Sequence, residues 1–560
     1  MTYRRVIFYV PPFLTRIKKS QSGCVALVCA ICLSGCGGSS DSTSVTNVTV
    51  TGASSSQIVG SPAPAVSPSP APTPVSPSRP MVGINVAGSV YYGTERTFAN
   101  LAYASGGWEA AAKDAAGYPT VAGRLFLNVP QTVWSGVDTV VTCTWKGGGS
   151  MRIDGDRVSD SYGDHSVTVT WRGHAATNSY NPSMFLNYTP GAASDPLRDL
   201  DCREPGLAVV GQFDARLIDD LKPFNVLRFL DQSAANWNPA SLTWATRTTP
   251  DRLGQDGNDG IALENMIDQA NAVGADAWFT IPWNADADYI QRAGKLIHDR
   301  LKGRAYVELS NEVWNFQFGQ TTQALNEGLA EGLSTDKYTN QLYRLAEKTI
   351  WMNKILTPIF SDDPARLVRV IAAQHANPWA GEQVMSFKDV AQWVDAFATA
   401  PYFGHSFFDG ANAGVTDLPT LFASLETMRQ ETIKQAIANK ATADKYGKRY
   451  IAYEGGQHIL ATDKNRDGPI ITQMQRSPLM YDAYKRYLAD ITKVTDQVQL
   501  YAATGQISNY GSWGIREYAG QPLAETPKRR AVLEFVQRSQ HLRLNSAAST
   551  SRPPARRVDR

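Results

Sequence analysis

From residue 206 onward, short apolar runs alternate with longer stretches of helical periodicity. The runs are continuous rather than alternating in polarity, which is the pattern of strands buried on both faces of a parallel sheet. They read as strands at Val226–Leu230, Ala277–Ile281, Tyr306–Leu309, Leu367–Ala372, Val394–Ala398, Arg449–Tyr453 and Gln499–Ala502. Helical segments follow them at 262–272, 288–301, 320–357, 383–391, 418–443, 474–494 and 525–538. An eighth apolar run, Val82–Val86, lies far upstream. Eight strand–helix units predict an α/β fold of the (β/α)8 barrel type.

The alternation is interrupted between about 118 and 206. There TVVTCTWKGGGSMRIDG and HSVTVTWRG place Thr, Val and Trp in period two between glycines, with no helical periodicity. This predicts an antiparallel β-sandwich. If Val82–Val86 is the first barrel strand, the sandwich is an insertion after it. The other arrangement is a separate N-terminal domain, but only seven strands are found downstream, which favours insertion. The expected layout is therefore 81–117 for the first barrel strand and its connection, 118–206 for the sandwich and 207–539 for the rest of the barrel.

The ends differ from this body. The chain has 560 residues and a formal charge of +2, but residues 1–36 carry five positive charges and no acid, and the last 21 residues carry +4. The body, 81–539, is therefore net negative, which argues against nucleic acid as a partner because such binding rests on phosphate neutralisation. Cys24–Leu33 is a ten-residue apolar run, too short to span a bilayer and suited to a signal-peptide core. It leads into Leu33-Ser34-Gly35-Cys36, which resembles a bacterial lipoprotein lipobox. The resemblance implies that 1–36 is a signal peptide, that Cys36 is lipidated, and that the chain is anchored to a membrane. Gly37, in place of an aspartate, implies the outer membrane, on its periplasmic or surface face. Residues 37–80 are rich in Ser and Pro and read as an extended tether. Residues 540–560 read as a disordered basic tail. Outside the signal only Cys143 and Cys202 remain, either as one disulfide or as two buried thiols.

Barrel enzymes carry their chemistry at the C-terminal ends of strands. The run YVEL is followed by Ser310-Asn311-Glu312-Val313-Trp314-Asn315, and RYIAY by Glu454-Gly455-Gly456. These are the fourth and seventh strands, whose ends face each other across a barrel mouth. Two carboxylates on one cavity, one protonated and one ionised, are what glycosidic bond hydrolysis requires. Glu308 is a rival to Glu312 but falls within the strand, where a structural role is expected.

The Asn-Glu pair after strand four and the Glu after strand seven resemble glycoside hydrolase clan A, the retaining (β/α)8 glycosidases. The resemblance implies that Glu312 is the acid/base, Glu454 the nucleophile and Asn311 a contact to the sugar 2-hydroxyl. It further implies that Arg228 orients the nucleophile, Tyr402 hydrogen-bonds it, and Trp513 is a platform under the sugar. The segment YVELSNEVWN also resembles a group of bacterial envelope proteins. Further aromatic and polar residues follow strands and are candidates to bind sugar: Trp237, Trp283, Trp314 and Trp379 as stacking rings, and Asn284, His375, Asn377, His405, Gln457 and His458 as edge readers. No metal or organic cofactor is implied, and no metal-ligand spacing, GxSxG or P-loop occurs. DRLGQDGNDG (251–260) reads as a loop. The expected activity is retaining hydrolysis of β-glycosidic bonds in an oligo- or polysaccharide. The rival reading is a carbohydrate-binding lipoprotein on a degenerate barrel, and transglycosylation is a variant of the first.

Overall fold

The computed structural model describes residues 81–550, apart from 105, 175–181, 256–259, 409, 461–467 and 509–510, and without the side chains of Gly468 and of residues 539–550. The signal, the tether, Cys36, residues 551–560 and part of the 251–260 loop lie outside it. Eight parallel strands close on themselves. They are β1 (Met81–Asn85), β2 (Val226–Arg228), β3 (Asp276–Ile281), β4 (Ala305–Leu309), β5 (Leu367–Ala372), β6 (Ala396–Thr399), β7 (Arg449–Ala452) and β8 (Gln497–Leu500). β1 pairs with β2 on one side and β8 on the other, so the far-upstream run supplies the strand that closes the barrel.

Side chains along each strand divide between two cores, as a period of two requires. On β4, Ala305, Val307 and Leu309 face the surrounding helices, while Tyr306 faces the barrel interior with Met81, Val226 and Trp278. The fold is thus a (β/α)8 barrel with a packed interior. Among the described residues no helix is long and apolar enough to cross a membrane.

Two antiparallel four-stranded sheets occupy the chain between β1 and β2. One orders Glu109–Ala110, Gly123–Phe126, Met184–Thr189 and Ser150–Gly155; the other orders Arg157–Gly163, Ser166–Trp171, Thr139–Lys146 and Arg198–Arg203. Leu125, Ile153 and Leu186 from the first share one core with Val141, Val169 and Leu200 from the second, which makes a sandwich. Cys143 and Cys202 stand directly opposite each other on neighbouring strands and form a disulfide.

Several expected boundaries move. The sandwich begins with Glu109, nine residues before 118, because this two-residue strand pairs with Gly123–Arg124. The helical region 320–357 is two helices, Gly319–Glu331 and Thr339–Leu356, parted by Gly332, which caps the first in the left-handed conformation. Helix 383–391 is Pro378–Ser386 and Val390–Trp393, and 474–494 is Gly468–Arg476 and Pro478–Val494. The last helix, Pro527–Thr550, runs through the expected boundary at 539 into the basic tail. No Pro or Gly stands between Gln540 and Thr550 to stop it.

Candidate active site

Arg228 ends β2 inside the barrel and is fully buried. Its Nη1 donates to Glu454 Oε1 at 2.7 Å and to Asn85 Oδ1 at 3.0 Å. Its Nη2 donates to Glu308 Oε2 at 2.9 Å and to Asn311 Oδ1 at 2.8 Å. One guanidinium therefore ties together the ends of β1, β2, β4 and β7. Burial alone would lower its pKa, but Glu308 and Glu454 outweigh that and hold it above its ordinary value. The cation also lies 5.4 Å from the Trp278 ring and 5.0 Å from the Tyr453 ring.

Glu454 is held from two sides. Arg228 takes one oxygen, and the Tyr402 hydroxyl donates to the other at 2.9 Å. Burial raises its pKa, and Arg228 and the Tyr402 bond oppose the rise. The local backbone explains why two glycines follow. A Cβ on Gly455 would collide with the Tyr487 hydroxyl, and Gly456 has a φ of 121°, which other residues rarely adopt. Tyr487, on helix Pro478–Val494, in turn donates to Pro401 O at 3.0 Å, next to Tyr402.

Glu312 sits in a different environment. Its carboxylate accepts from Tyr453 Oη at 3.0 Å and Asn315 Nδ2 at 2.9 Å, both neutral donors. Burial first and the Glu454 charge second push its pKa up to about 7. Ser310 and Glu312 have φ of 59° and 46°, left-handed values that are costly away from glycine. Glu308 is inward on β4 and takes hydrogen bonds from Arg228 and from Trp278 Nε1 at 2.9 Å, so it is a buried partner of the arginine.

The other expected residues divide. Asn311 is buried, with both amide atoms engaged, its Oδ1 by Arg228 and its Nδ2 donating to Asn236 at 3.1 Å. Trp513 is half-buried and donates to His458 Nδ1 at 3.0 Å. His458 lies 5.1 Å from the Tyr402 ring and 5.3 Å from the exposed His405 ring, which places Tyr402, His405, His458 and Trp513 in one aromatic group beside Glu454. Burial and the neighbouring His405 lower the His458 pKa to about 4, so it is neutral there. Trp314, next to Glu312, is half-buried against the barrel–helix core.

Trp283 and His375 are not available to a substrate. Trp283 is fully buried, donates to Glu327 Oε1 at 3.2 Å and lies beneath the Lys348 ammonium. A ring wholly buried, with its Nε1 bonded and Lys348 over it, has no face left for a sugar. His375 is buried with both nitrogens used, Nδ1 to Thr399 Oγ1 at 2.9 Å and Nε2 to Thr432 O at 3.0 Å. Burial lowers its pKa to about 4, and it braces β5 and β6 against helix Leu418–Lys445. Asn284 and Gln457 are also tied inside the protein, to Pro239 O and Ser512 O respectively.

Sequence reasoning missed Tyr453, Asn315, Asp231 and Tyr501. Asp231 lies three residues after Arg228, half-buried, and accepts from Tyr501 Oη at 3.1 Å. Burial and the Glu454 charge push its pKa up to about 6. The available signal was an acid closing the apolar run VLRFL, and a tyrosine directly before the seventh-strand glutamate. Among the described residues no group of three or more His, Cys, Asp or Glu side chains is gathered to hold a metal.

No protein-family model and no curated protein matches the chain. Among solved structures it is similar to the GH51 arabinofuranosidase from Xanthomonas axonopodis pv. citri, at 10% identity and a TM-score of 0.37, over 53% of this chain and 62% of that one. A glucosidase from Croceicoccus marinus is 15% identical with a TM-score of 0.33, over 58% of this chain and 64% of that one. The chain thus spans less than two thirds of either protein. An endo-1,4-beta-D-mannanase from Thermotoga petrophila is 12% identical with a TM-score of 0.32, over 57% of this chain and 93% of that one. The closure of the barrel is established by the strand pairing itself.

Proposed function

We propose that this chain is a retaining glycoside hydrolase that cleaves β-glycosidic bonds in an oligo- or polysaccharide by double displacement. The observation that carries this reading is the unequal holding of two carboxylates at one barrel mouth, since Arg228 and Tyr402 oppose the upward shift of Glu454 and, among the described residues, no cation is bonded to Glu312. Glu454 faces a guanidinium and a phenol, which favour its ionised form. Glu312 is hydrogen-bonded by neutral donors alone, and burial together with the Glu454 charge outweighs them and favours its protonated form. A nucleophile and a general acid at neutral pH need those two states.

In the first step the Glu454 carboxylate attacks the anomeric carbon. The bond from that carbon to the leaving oxygen breaks, and the Glu312 proton moves to the leaving oxygen. In the second step Glu312, now a carboxylate, takes a proton from water. The water oxygen bonds to the anomeric carbon and the bond to Glu454 breaks. Arg228 and Tyr402 hold the Glu454 oxygens so that the attacking lone pair is fixed in direction. Tyr453 and Asn315 fix Glu312, and the left-handed backbone at that residue is the strain accepted to aim it. The aromatic group of Tyr402, His405, His458 and Trp513 supplies stacking and edge contacts, with Trp314 on the Glu312 side. The β preference and the retaining outcome rest on the clan A resemblance. The same chain is proposed to be tethered by lipid on Cys36 to the outer membrane, where polysaccharide is the partner.

The test is the anomeric configuration of the first-formed product, followed by proton NMR during hydrolysis of a panel of aryl β-glycosides and β-linked oligosaccharides. The expected product is the β-anomer, which then mutarotates. The α-anomer appearing first would assign inversion and remove Glu454 as a nucleophile.

A further inference from the structure

The two sheets of the sandwich have unlike outer faces. On the sheet that contains Ser166–Trp171, the outward positions include Thr142 and Thr168, bonded to each other across the strands, together with Lys146, Asp201, Arg203 and the exposed Val140. This exterior is mostly polar, as is ordinary for a sandwich. On the other sheet, buried Leu125, Leu186 and Ile153 alternate with outward residues that are aromatic and amphipathic. Phe126 stands opposite Phe185 on the next strand, with ring centroids 5.4 Å apart. Tyr91 stacks on Phe126 at 4.6 Å, and Tyr92, itself 37% exposed, meets Tyr91 edge-on at 5.2 Å.

Hydrogen-bonding groups flank these rings. The Arg124 guanidinium lies 4.8 Å from the Phe126 ring and 5.2 Å from the Phe185 ring, and it is paired with Glu109 at 2.7 Å. Asn187, opposite Arg124, donates to Asp154 at 2.8 Å. A cluster of rings with planar polar groups over and beside it matches a sugar chain, which offers apolar C–H faces and hydroxyl edges. Arg124 is matched by Glu109, so the cluster selects a neutral chain over a polyanion.

The cluster is joined to the active-site mouth through the backbone. Asn85, the last residue of β1, accepts from Arg228, and Val86 N donates to Arg228 O at 2.9 Å. Ala87 O accepts from Gln232, and Gly88 packs against the Asp231 side chain. Tyr91 follows three residues later, within about 11 Å of extended chain. The outer face of a sheet has no folding reason to gather rings, and such patches mark binding surfaces.

We propose that the Tyr91–Phe126–Phe185 face is a second glycan-binding surface, which holds a neutral β-linked polysaccharide along the sandwich while one of its bonds lies between Glu312 and Glu454. This rests on the hydrolase reading for the identity of the ligand. The test is affinity electrophoresis of the full chain carrying Glu454→Gln, in gels holding hydroxyethylcellulose, mixed-linkage β-glucan, galactomannan or arabinoxylan, with polygalacturonate as the anionic control. The expected result is retardation by at least one neutral polysaccharide, weakened at least tenfold by Phe126→Ala with Phe185→Ala. Tyr92→Ala, at the most exposed of these rings, weakens it in the same direction, with thermal unfolding of each variant confirming that it is folded. Equal retardation of all the variants, no retardation in any neutral gel, or retardation by polygalacturonate alone would overturn the proposal. Because Glu454→Gln removes turnover from the measurement, failure here is distinct from failure of the hydrolase reading. The latter is read in the parent chain, as absence of hydrolysis of fragments of the retained polysaccharide.

Discussion

At the scale of single residues, the site turns on proton inventory. Glu312 titrates at about 7 against an ordinary 4.5, so a rate that needs its proton falls as pH rises through about 7. Glu312→Gln removes that falling limb in the kcat/KM profile of a moderately activated glycoside, whose leaving group gains from the acid in the parent and still departs without it in the variant. A limb that persists unchanged would assign it to another group. The same shift bears on stability. The folded state holds the Glu312 proton more tightly than the unfolded state, so this group lowers stability as pH rises from 4.5 to about 7 and adds no cost below that window. Glu312→Gln therefore stabilises the fold at pH 8 and has no such effect at pH 4. Thermal unfolding at the two pH values checks this. Tyr402→Phe removes a donor to an ionised carboxylate, worth about 1.5–3 kcal/mol. The expected loss in kcat is tenfold to a hundredfold, and an unchanged kcat would show that the bond contributes only to packing.

Legibility in the sequence also divides at this scale. Arg228 ends a strand and Glu312, Glu454 and Tyr402 follow strand ends, and position in the barrel alone brings such residues together. Trp283 and His375 follow strand ends too, yet they point between strand and helix. The sequence reports that a residue lies at a strand end; which side of the wall its side chain takes depends on the register of the turn beyond the ladder. Tyr453 and Asn315 escaped notice because their roles exist only through contacts to residues 141 and three positions away.

Among elements, the seventh strand carries the tightest constraint. Glu454 is placed by a glycine pair lying against Tyr484 and Tyr487 of helix Pro478–Val494. Gly455→Ala drives a methyl group into the Tyr487 hydroxyl, an overpacking that costs about 1–3 kcal/mol and displaces Glu454. Tyr487→Phe in the same chain removes the obstructing oxygen and is expected to restore part of the activity. Loss without any recovery in the double variant would mean that the glycine is required for its backbone alone. The helices' existence was legible from periodicity, and their breaks were not. Gly332 ends one helix with a cap that the surrounding apolar spacing masks, and the tail helix continues because its sequence lacks a stop.

Across the whole molecule, β1 is separated from β2 by the entire sandwich and still closes the barrel against β8. The count of seven strands downstream pointed to this arrangement, because a barrel short of one strand would leave two edges unpaired. A chain beginning at residue 207 lacks that strand, and β2 and β8 then have no partner between them. Such a chain is expected to lose cooperative thermal unfolding and to aggregate, whereas a self-sufficient downstream barrel would unfold in a single sharp transition. The disulfide between Cys143 and Cys202 lies wholly within the inserted sandwich, so it restrains the insertion without bridging to the barrel.

The assignment of Glu454 as the group that forms a covalent bond to sugar is the centre of this mechanism. Activated 2-deoxy-2-fluoro β-glycosides slow the second step and leave the sugar on the nucleophile. Intact mass and peptide mapping after incubation with a panel of them, extended to activated oligosaccharides, is therefore the most direct measurement. The expected result is one stable adduct on the peptide holding Glu454, absent in Glu454→Gln. An adduct on a different carboxylate would contradict the site assignment and the pairing of Arg228 and Tyr402 with the nucleophile.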